Sequence, residues 1–500
     1  MMKRIGYILI TTILWVTGGT LVAQTEDDFL NTFNDFKRQS EKEFAVFNDS
    51  INKQFAENLK KQWEEFSVFS GVTPPLKPKP IVPPKVNPDL PVKTPDTIPV
   101  KEITPPVSPV PAFDPEPRFD SIPDPQLTPR QKTMEINFYG NSLKLQIPSN
   151  AFNYRLPEVS DTAIADFWMK LNDDNLQFLI KQCASVKRTL QLNDWGVYNL
   201  TKCVAKHVFS DHQHNERTVF VVFLLNSMGY DSKIAYGNDT LYCLLNVEQQ
   251  LYAVPFSRLS DKSSYFIFDI DTRHQKNIGN IYTYSFDYPN STRNMDMNIY
   301  TSPDFSKSIR SKLVEDKALN TSITVQYNSN IIDFYNDYPQ VEYNVYADAK
   351  VSPEFYTSII RAFKILLKDK SGTESVSLLL NFMHYSFDYA TDDVQFGYEK
   401  PLFCEENFYY PQNDCEDRAL LFAFLVREIL GLEVVLINYP DHVATAVNFG
   451  NLEVAGDNVL INNKKYVICD PTYIGASIGM SMPQYKNQAV EVIMPGIRSK

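Results

Sequence analysis

A spacing of eleven residues between aromatic side chains is the first regularity of the chain. Phe33, Phe44, Phe55 and Phe66 follow this spacing, and charged residues lie between them. Eleven residues complete three helical turns, so the four rings fall on one face of a helix. The pattern therefore predicts an amphipathic, Phe-rich helix over residues 26–71. A lone helix of this kind is only marginally stable in water, so we expect it to dock, to self-associate or to bind another protein.

A second pattern replaces this helix at about residue 72. The segment from Pro74 to Pro129 contains 19 of the 32 prolines of the chain, with Lys, Val and Thr between them. Such a composition favours an extended polyproline II conformation that rises ~3.1 Å per residue. We therefore predict a stiff linker over residues 72–132; a proline-rich ligand for a recognition domain is the alternative.

The rest of the chain shows the hydrophobic periods of a folded protein, with helices and strands in succession. Residues 161–207 are mostly helical by period, and 281–347 alternate as strands do. These patterns predict the α+β fold class. They also divide the rest of the chain into three parts. The parts are a mixed α/β domain (133–275), a β-rich segment (276–350) and a C-terminal domain (351–500).

Composition narrows the classes of function. The 500 residues have a net charge of −12, which argues against nucleic acid or an anionic membrane surface as the main partner. The chain has only 17 glycines and no phosphate-binding glycine motif. Six cysteines over this length exclude a disulfide-dense scaffold, and neither C-x-x-C nor H-E-x-x-H occurs. Nothing in the sequence calls for a metal or an organic cofactor.

The N-terminus has the pattern of a secretory signal. Lys3 and Arg4 precede the apolar stretch 5–16, and small or aliphatic residues lead to a predicted cut after Ala23. An uncleaved anchor is the alternative, but a membrane span needs ~20 apolar residues and Thr17–Thr20 interrupts this one. We therefore expect residues 1–23 to be a signal peptide. The mature protein would be exported, periplasmic or secreted, without a transmembrane span, and its Phe-rich helix could bind an envelope partner.

Candidate chemistry is concentrated near residue 415. Asn413 is a suitable helix cap, and Glu416 three residues later can close a capping box. An apolar helical period follows, and Gly431 is suited to end the helix. Cys415 would then lie in the first turn, where the unpaired amides and the helix dipole favour a thiolate. The alternative is a buried structural thiol.

Two further residues complete a possible catalytic triad. His442 begins a stretch that alternates as a strand, and Asp470 ends a later strand, just before Pro471. In such a triad the Cys415 thiolate attacks an acyl carbon, His442 moves the proton and Asp470 orients the imidazole. A core histidine and a strand-end cap are the structural alternatives for the last two residues.

These three elements together resemble the transglutaminase-like superfamily, whose core has a papain-like fold. The resemblance covers 414–419, His442 with the Val-Ala-Thr-Ala-Val that follows it, and 466–471, and it extends from about Pro353 to the C-terminus. It implies a cysteine enzyme, a protease or acyltransferase, that acts on peptide or glutamine amides through a thioester; with the predicted signal peptide, this enzyme would be exported. Asp414 replaces the glycine that often precedes the reactive cysteine, and Val443 replaces a family tryptophan. The alternative is a non-catalytic envelope scaffold or binding protein built from such domains.

An oxyanion intermediate would need hydrogen-bond donors. The Cys415 amide is one candidate, and the Gln395 side chain is the second; Tyr409 and Tyr410 are its rivals. Elsewhere, His212 and His214 could form a two-ligand metal pair, but a solvated loop is the simpler interpretation.

The first globular half echoes the second. Arg217 and Arg418 are 201 residues apart, as are Asp269 and Asp470, and each pair lies in a similar order of helix and strands. His214 would then stand in the place of Cys415, and a strand with Leu241 and Tyr242 in the place of the His442 strand. We therefore predict a possible inactive transglutaminase-like copy; coincidental similarity is the alternative.

Overall fold

The computed structural model describes residues 26–72, 82–88, 95–106, 131–172, 174–259, 264–272, 278–316, 320–486 and 488–496. The chain divides into two compact units, 1–54 and 55–500. The predicted signal peptide, residues 1–23, lies outside the described residues. Within the described residues, no helix is both long and apolar enough to span a membrane.

The described chain forms eleven α-helices and nineteen strands, in agreement with the predicted α+β class. The helices are α1 (Glu26–Leu59), α2 (Asp161–Leu171), α3 (Asp174–Thr189), α4 (Asp194–Val208), α5 (His214–Ser227), α6 (Ser329–Asn336), α7 (Tyr343–Asp348), α8 (Pro353–Leu366), α9 (Gly372–Tyr385), α10 (Asp392–Gln395) and α11 (Cys415–Leu425). The strands up to residue 300 are β1 (Trp63–Phe66), β2 (Val68–Phe69), β3 (Val100–Thr104), β4 (Gln131–Phe138), β5 (Asn141–Pro148), β6 (Ser232–Gly237), β7 (Thr240–Asn246), β8 (Phe256–Arg258), β9 (Ser264–Phe268) and β10 (Ile281–Tyr284). The later strands are β11 (Ile309–Asp316), β12 (Thr321–Asn328), β13 (Asp388–Tyr389), β14 (Gln412–Asn413), β15 (Glu433–Tyr439), β16 (His442–Asn448), β17 (Asn458–Ile461), β18 (Lys464–Cys469) and β19 (Val490–Ile493).

The Phe-rich helix is shorter than predicted, because α1 ends at Leu59 and the chain continues as two strands. Strand β1 pairs antiparallel with β10, from Trp63 opposite Tyr284 to Phe66 opposite Ile281. The edge of β10 has backbone N–H and C=O groups that an extended segment can pair with. A continued helix could not, because its own backbone groups are already bonded within the helix. Phe55 is buried against Trp168 and Tyr284, so the eleven-residue spacing reflects two kinds of structure and not one continuous helix.

Two large sheets organise the globular part. The first has the order β1-β10-β6-β7-β9-β8-β2, and the second has the order β17-β18-β16-β15-β19-β3. Apolar side chains such as Ile267 and Leu244 form a core cluster on the first sheet, and Ile437 and Ile468 belong to the cluster of the second.

Five strands of each sheet repeat one architecture. The order β10-β6-β7-β9-β8 corresponds to β19-β15-β16-β18-β17, and every neighbouring pair in both series is antiparallel. A helix precedes each central hairpin, α5 in one case and α11 in the other. Both hairpins turn over two residues, so Thr240 and His442 occupy the same position. We call α5 to β10 (214–284) the first copy and α11 to β19 (415–493) the second copy.

The proline-rich segment is not a free linker throughout its length. Strand β3, within the predicted linker 72–132, pairs in parallel with β19 at the edge of the second sheet. Ile98 is buried in the core of that sheet, and Thr97 bridges to Asn458. Buried apolar surface and a free sheet edge stabilise this segment, and the prolines around it lie outside the paired stretch.

In its described residues, the predicted β-rich segment 276–350 contains the strands β10, β11 and β12 and the helices α6 and α7. Strand β10 belongs to the sheet of the first copy, and β11 and β12 form a separate two-stranded hairpin. Helices α6 and α7 then occupy 329–336 and 343–348, where Ile331, Phe334 and Val345 are buried. The alternation of apolar residues there predicts strands, but their spacing also suits short amphipathic helices.

Candidate active site

The N-cap of helix α11 lies one residue later than predicted. Asp414 is the N-cap, and its amide donates to the Asp417 carboxylate (3.2 Å) within a capping box. The predicted cap, Asn413, instead accepts a hydrogen bond from Arg418 Nε (2.9 Å). Cys415 is therefore the first helical residue, in the first turn as predicted. Gly431, the predicted end of the helix, ends the helical segment with a φ of 65°.

The surroundings of the Cys415 thiol are acidic and buried. Its Sγ donates to Glu416 Oε2 (3.1 Å), so Glu416 does not serve as the predicted capping-box partner. Asp414 and Asp417 are buried beside it. Arg418 is the buried cation one turn along, and burial lowers its pKa to about 10. A hydrogen bond to a carboxylate favours the thiol, so a base must remove its proton.

A buried imidazole–carboxylate pair supplies a base and its orienting group. His442 Nε2 lies 2.9 Å from Asp470 Oδ2, and the amides of Thr472 and Tyr473 donate to Asp470 Oδ1 (3.0 and 3.1 Å). Burial raises the pKa of Asp470, but the charge and hydrogen bond of His442 outweigh it and hold the pKa below its ordinary value. The carboxylate therefore stays ionised and holds the Nε2 edge of the imidazole ring.

The other ring nitrogen of His442 is available for chemistry. Its Nδ1 has no hydrogen-bond partner among the described residues. The ring stacks on Tyr485, at 5.6 Å between centroids, and Tyr485 also interacts electrostatically with Cys415. Helix α11 packs on β16, the strand that His442 opens. The predicted residues Cys415, His442 and Asp470 thus lie in one region.

This region is closed in the observed conformation. Cys415 is 0% exposed, and His442 and Asp470 are each 1% exposed. A functional cysteine site would be expected to open onto a groove, so reaction with a substrate requires the covering residues to move.

The predicted oxyanion residue lies close to the start of α11. The Gln395 Nε2 donates to the Gln412 carbonyl (3.1 Å), three residues before Cys415. Its rival Tyr409 is 46% exposed and contacts Tyr327 and Tyr410. Gln395 as an oxyanion donor stays a prediction, since its amide group serves a carbonyl in the closed site.

No protein-family model, curated protein or solved structure matches this chain.

Sequence reasoning missed two residues of this site. The His384 Nε2 bonds to the backbone carbonyl of Asp470 (2.9 Å), and burial lowers the His384 pKa. Tyr485 supplies the ring that stacks on His442. Neither had a local signal, because His384 lies on an ordinary apolar helix and Tyr485 ends a short 3-10 helix, Pro483–Tyr485, after β18. All six cysteines are free, and Cys469 is buried.

In the first copy His214 takes the place of Cys415 at the start of its helix. Its Nε2 lies 2.9 Å from the Leu241 carbonyl, and its Nδ1 lies 2.8 Å from Asp271 Oδ2. Asp269 is more distant, with its Oδ1 3.8 Å from Nδ1. His214 is therefore a helical, partly buried residue, so its assignment to a solvated loop is wrong. It clusters with Asp269 and Asp271 rather than with His212, the other residue of the metal pair that the sequence analysis considered and did not favour.

Proposed function

We propose that the second copy is the catalytic part of an exported, transglutaminase-like cysteine enzyme with a papain-like fold. It would act on peptide or glutamine amides, as a protease or acyltransferase. The observation that carries the proposal is the buried His442, whose Nε2 is held by Asp470 while its Nδ1 has no partner beside a helix that starts at Cys415. A general base needs this combination of a fixed ring and an available nitrogen.

The proposed reaction has two halves. In the first, His442 Nδ1 takes the proton of Cys415, and the sulfur forms a bond to the amide carbon. The C–N bond then breaks, and the amine leaves with the proton from His442. In the second half, water or a primary amine gives a proton to His442 and attacks the thioester; the C–S bond breaks, and the sulfur takes the proton back from His442. Asp470 stabilises the imidazolium between these steps.

Amide hydrogen-bond donors would stabilise the tetrahedral intermediates. The Cys415 amide lies at the helix N-terminus, where backbone N–H groups and the helix dipole favour negative charge. Gln395 is the proposed second donor, once its amide leaves the Gln412 carbonyl. The rate effect of one such donor is ~10²–10³.

The closed site sets a condition on this proposal. The Cys415 thiol, 0% exposed and bonded to Glu416, must lose that hydrogen bond and become accessible. We expect a peptide substrate to favour the open form, because binding shifts a protein towards the state that it contacts better.

The test is a screen of amidated peptides with the wild type and with Cys415→Ala, each with and without an added primary amine. Mass spectrometry detects hydrolysis or amine incorporation. Cys404→Ala is the matched control, because Cys404 is also buried and burial raises its pKa to about 12. Activity that Cys415→Ala retains would contradict the proposal.

The burial of Cys415 favours a second candidate, a non-catalytic envelope scaffold or binding protein built from two related copies. Iodoacetamide labelling separates the two. In the enzyme, peptide binding should speed labelling of Cys415 relative to the partly exposed Cys203, and His442→Ala should slow it. Labelling of Cys415 that peptides and His442→Ala leave unchanged would favour the scaffold.

A further inference from the structure

Two described stretches of the proline-rich segment, 82–88 and 95–106, lie against the second copy, and together we call them the strap. In the first stretch, the Val86 amide donates to the Ile474 carbonyl (3.0 Å), and the Ile474 amide donates to the Pro84 carbonyl (2.8 Å). The second stretch contains β3, which pairs with β19. Both stretches of the strap are therefore bonded to the second copy through the backbone.

Residues 471–486, between β18 and β19, lie beside the predicted triad, and we call them the cover. The Tyr485 ring of the cover stacks on the His442 ring, at 5.6 Å between centroids, and Tyr485 also interacts electrostatically with Cys415. Near the start of the cover, Ile474 is the residue that exchanges backbone hydrogen bonds with the strap. The strap is thus attached to the segment that lies against the buried imidazole.

A buried carboxylate links the strap to the other end of the cover. Asp457 Oδ1 accepts hydrogen bonds from the Asp96 amide of the strap (2.9 Å) and from Lys486 Nζ of the cover (3.0 Å). Asp457 Oδ2 accepts one from the Ser481 amide (3.1 Å), also in the cover. Burial raises the pKa of Asp457, but the hydrogen bonds, first of all that of the Ser481 side chain, outweigh it and hold the pKa below its ordinary value. The ionised carboxylate therefore bonds to strap and cover at once.

The strap also contributes one buried side chain to the apolar core under the cover. Ile98 is 1% exposed and belongs to the same cluster as Met482 and Tyr485 of the cover. Val86 is partly buried against that cluster, and the other described side chains of the strap are partly or fully exposed. Because one buried side chain and backbone hydrogen bonds at a sheet edge hold the strap, we expect it to detach more easily than the core opens.

These contacts couple the strap to the closed site. Detachment of the strap would break the hydrogen bonds to Ile474 and Asp457 and remove Ile98 from the cluster that supports Tyr485. We propose that the strap is an inhibitory element within the chain, which holds the cover closed over Cys415, and that its release opens the site. That the opened site then acts on a peptide rests on the proposed function, whereas the opening itself does not.

The test measures opening in the full chain, without turnover. The first readout is the rate at which iodoacetamide labels Cys415, and the second is hydrogen–deuterium exchange of the cover amides; mass spectrometry follows both. Cys183 and Cys243 are each 0% exposed and lie outside the second copy, so their labelling reports global unfolding.

Two substitutions of one residue weaken the strap by different amounts. Ile98→Ala removes most of the buried side chain, and Ile98→Val removes one methylene group. The opened state has already lost this burial, so each substitution weakens only the closed state. Ile98→Ala should speed Cys415 labelling and exchange of the cover about thirtyfold, and Ile98→Val about fivefold. Ile103→Ala is the matched control, because Ile103 lies on β3 of the same strap but is 40% exposed. It should leave both rates unchanged.

Ile98→Val keeps the test decisive if Ile98→Ala does not fold. Acceleration confined to Cys415 and the cover would support the proposal. Three outcomes would overturn it: unchanged rates in Ile98→Val, an equal acceleration of Cys183 and Cys243 in that variant, or an equal acceleration of Cys415 in Ile103→Ala.

The strap and the proposed function can fail separately. A cover that opens in Ile98→Val, with no turnover of any peptide, would keep the strap and reject the enzyme. Conversely, Cys415-dependent turnover in the wild type, with labelling and exchange unchanged in Ile98→Val, would keep the enzyme and reject the strap.

Discussion

The two copies share a strand order but differ in what occupies the start of the central helix. In the second copy Cys415 is sealed beside the His442–Asp470 pair. In the first copy His214 bonds directly to the Leu241 carbonyl and to Asp271, next to a cavity. The comparison shows that one strand order can hold a buried cysteine–histidine–carboxylate group or a cavity, depending on a few side chains at one end of a hairpin.

We expect the largest effect on peptide turnover from replacement of Cys415, whose place His214 takes in the first copy. Replacement of Cys415 by Ala should lower peptide turnover by ~10³-fold or more, because removal of a nucleophile leaves only the catalysis due to binding and oxyanion donors. Initial rates with the best peptide of the screen measure it. Cys404→Ala should retain the wild-type rate; an equal loss in both variants would indicate a folding defect instead.

Asp470→Asn should lower turnover by roughly 10²–10⁴, since an amide cannot stabilise an imidazolium as a carboxylate does. The same group affects stability. Its folded-state pKa is lowered, so its contribution is present above the unfolded value of ~3.9 and is lost as the pH falls through the folded value.

Urea unfolding between pH 6 and pH 3 should therefore show a smaller acid loss of stability in Asp470→Asn than in the wild type. Asp388→Asn is the control for a more exposed carboxylate on a short strand. Equal acid loss in wild type and Asp470→Asn would show that the His442 pair contributes nothing to acid stability.

Glu405, a buried residue between the two copies in the sequence, should have the opposite effect on the pH dependence of stability. Burial raises the pKa of Glu405 to about 7, although it accepts hydrogen bonds from the Ser352 amide (2.6 Å) and hydroxyl (2.7 Å). The unfolded group loses its proton near pH 4.3, so stability should fall as the pH rises from there to about 7. The loss is on the order of 3 kcal/mol at ~1.4 kcal/mol per pKa unit.

Glu405→Gln should flatten this part of the stability–pH curve, whereas the exposed Glu64→Gln should not. Urea midpoints between pH 4.5 and pH 8 provide the measurement. A wild-type curve that is flat in this range would mean that Glu405 is ionised throughout.

The smallest effect should come from the first copy. His214→Ala removes hydrogen bonds to Leu241 and Asp271 and should lower the free energy of unfolding by ~1–3 kcal/mol. It should leave any Cys415-dependent turnover within about twofold, because Thr240, which cannot act as an imidazole base does, stands at the position of His442 in the first copy. A large loss of turnover at full stability would show that the first copy takes part in the reaction.

Local signals in the sequence predicted the helix that Cys415 begins, its end at Gly431, and the two strands that hold His442 and Asp470. Their turn and cap chemistry is encoded within a few residues. The matching positions of Asp269 and Asp470 in the sequence also indicate the repeated order of elements that the two sheets show.

Long-range partners were beyond such reasoning. The pairing of β3 with β19 joins residues almost 400 positions apart, and proline content argued against a strand there. The burial of Cys415, and the ring of Tyr485 on His442, depend on packing between distant segments. Periodicity reports which face of an element is apolar, but not which element covers it.

The parallel strand β3 has a practical consequence for any attempt to isolate the C-terminal part of the chain. A fragment that begins near residue 351 would lack Val100–Thr104 and leave the outer edge of β19 without its hydrogen-bonding neighbour. Unprotected edges of this kind promote intermolecular pairing and precipitation. Truncated proteins should therefore keep residues 95–106, or receive that strand as a separate peptide, if they are to remain monomeric.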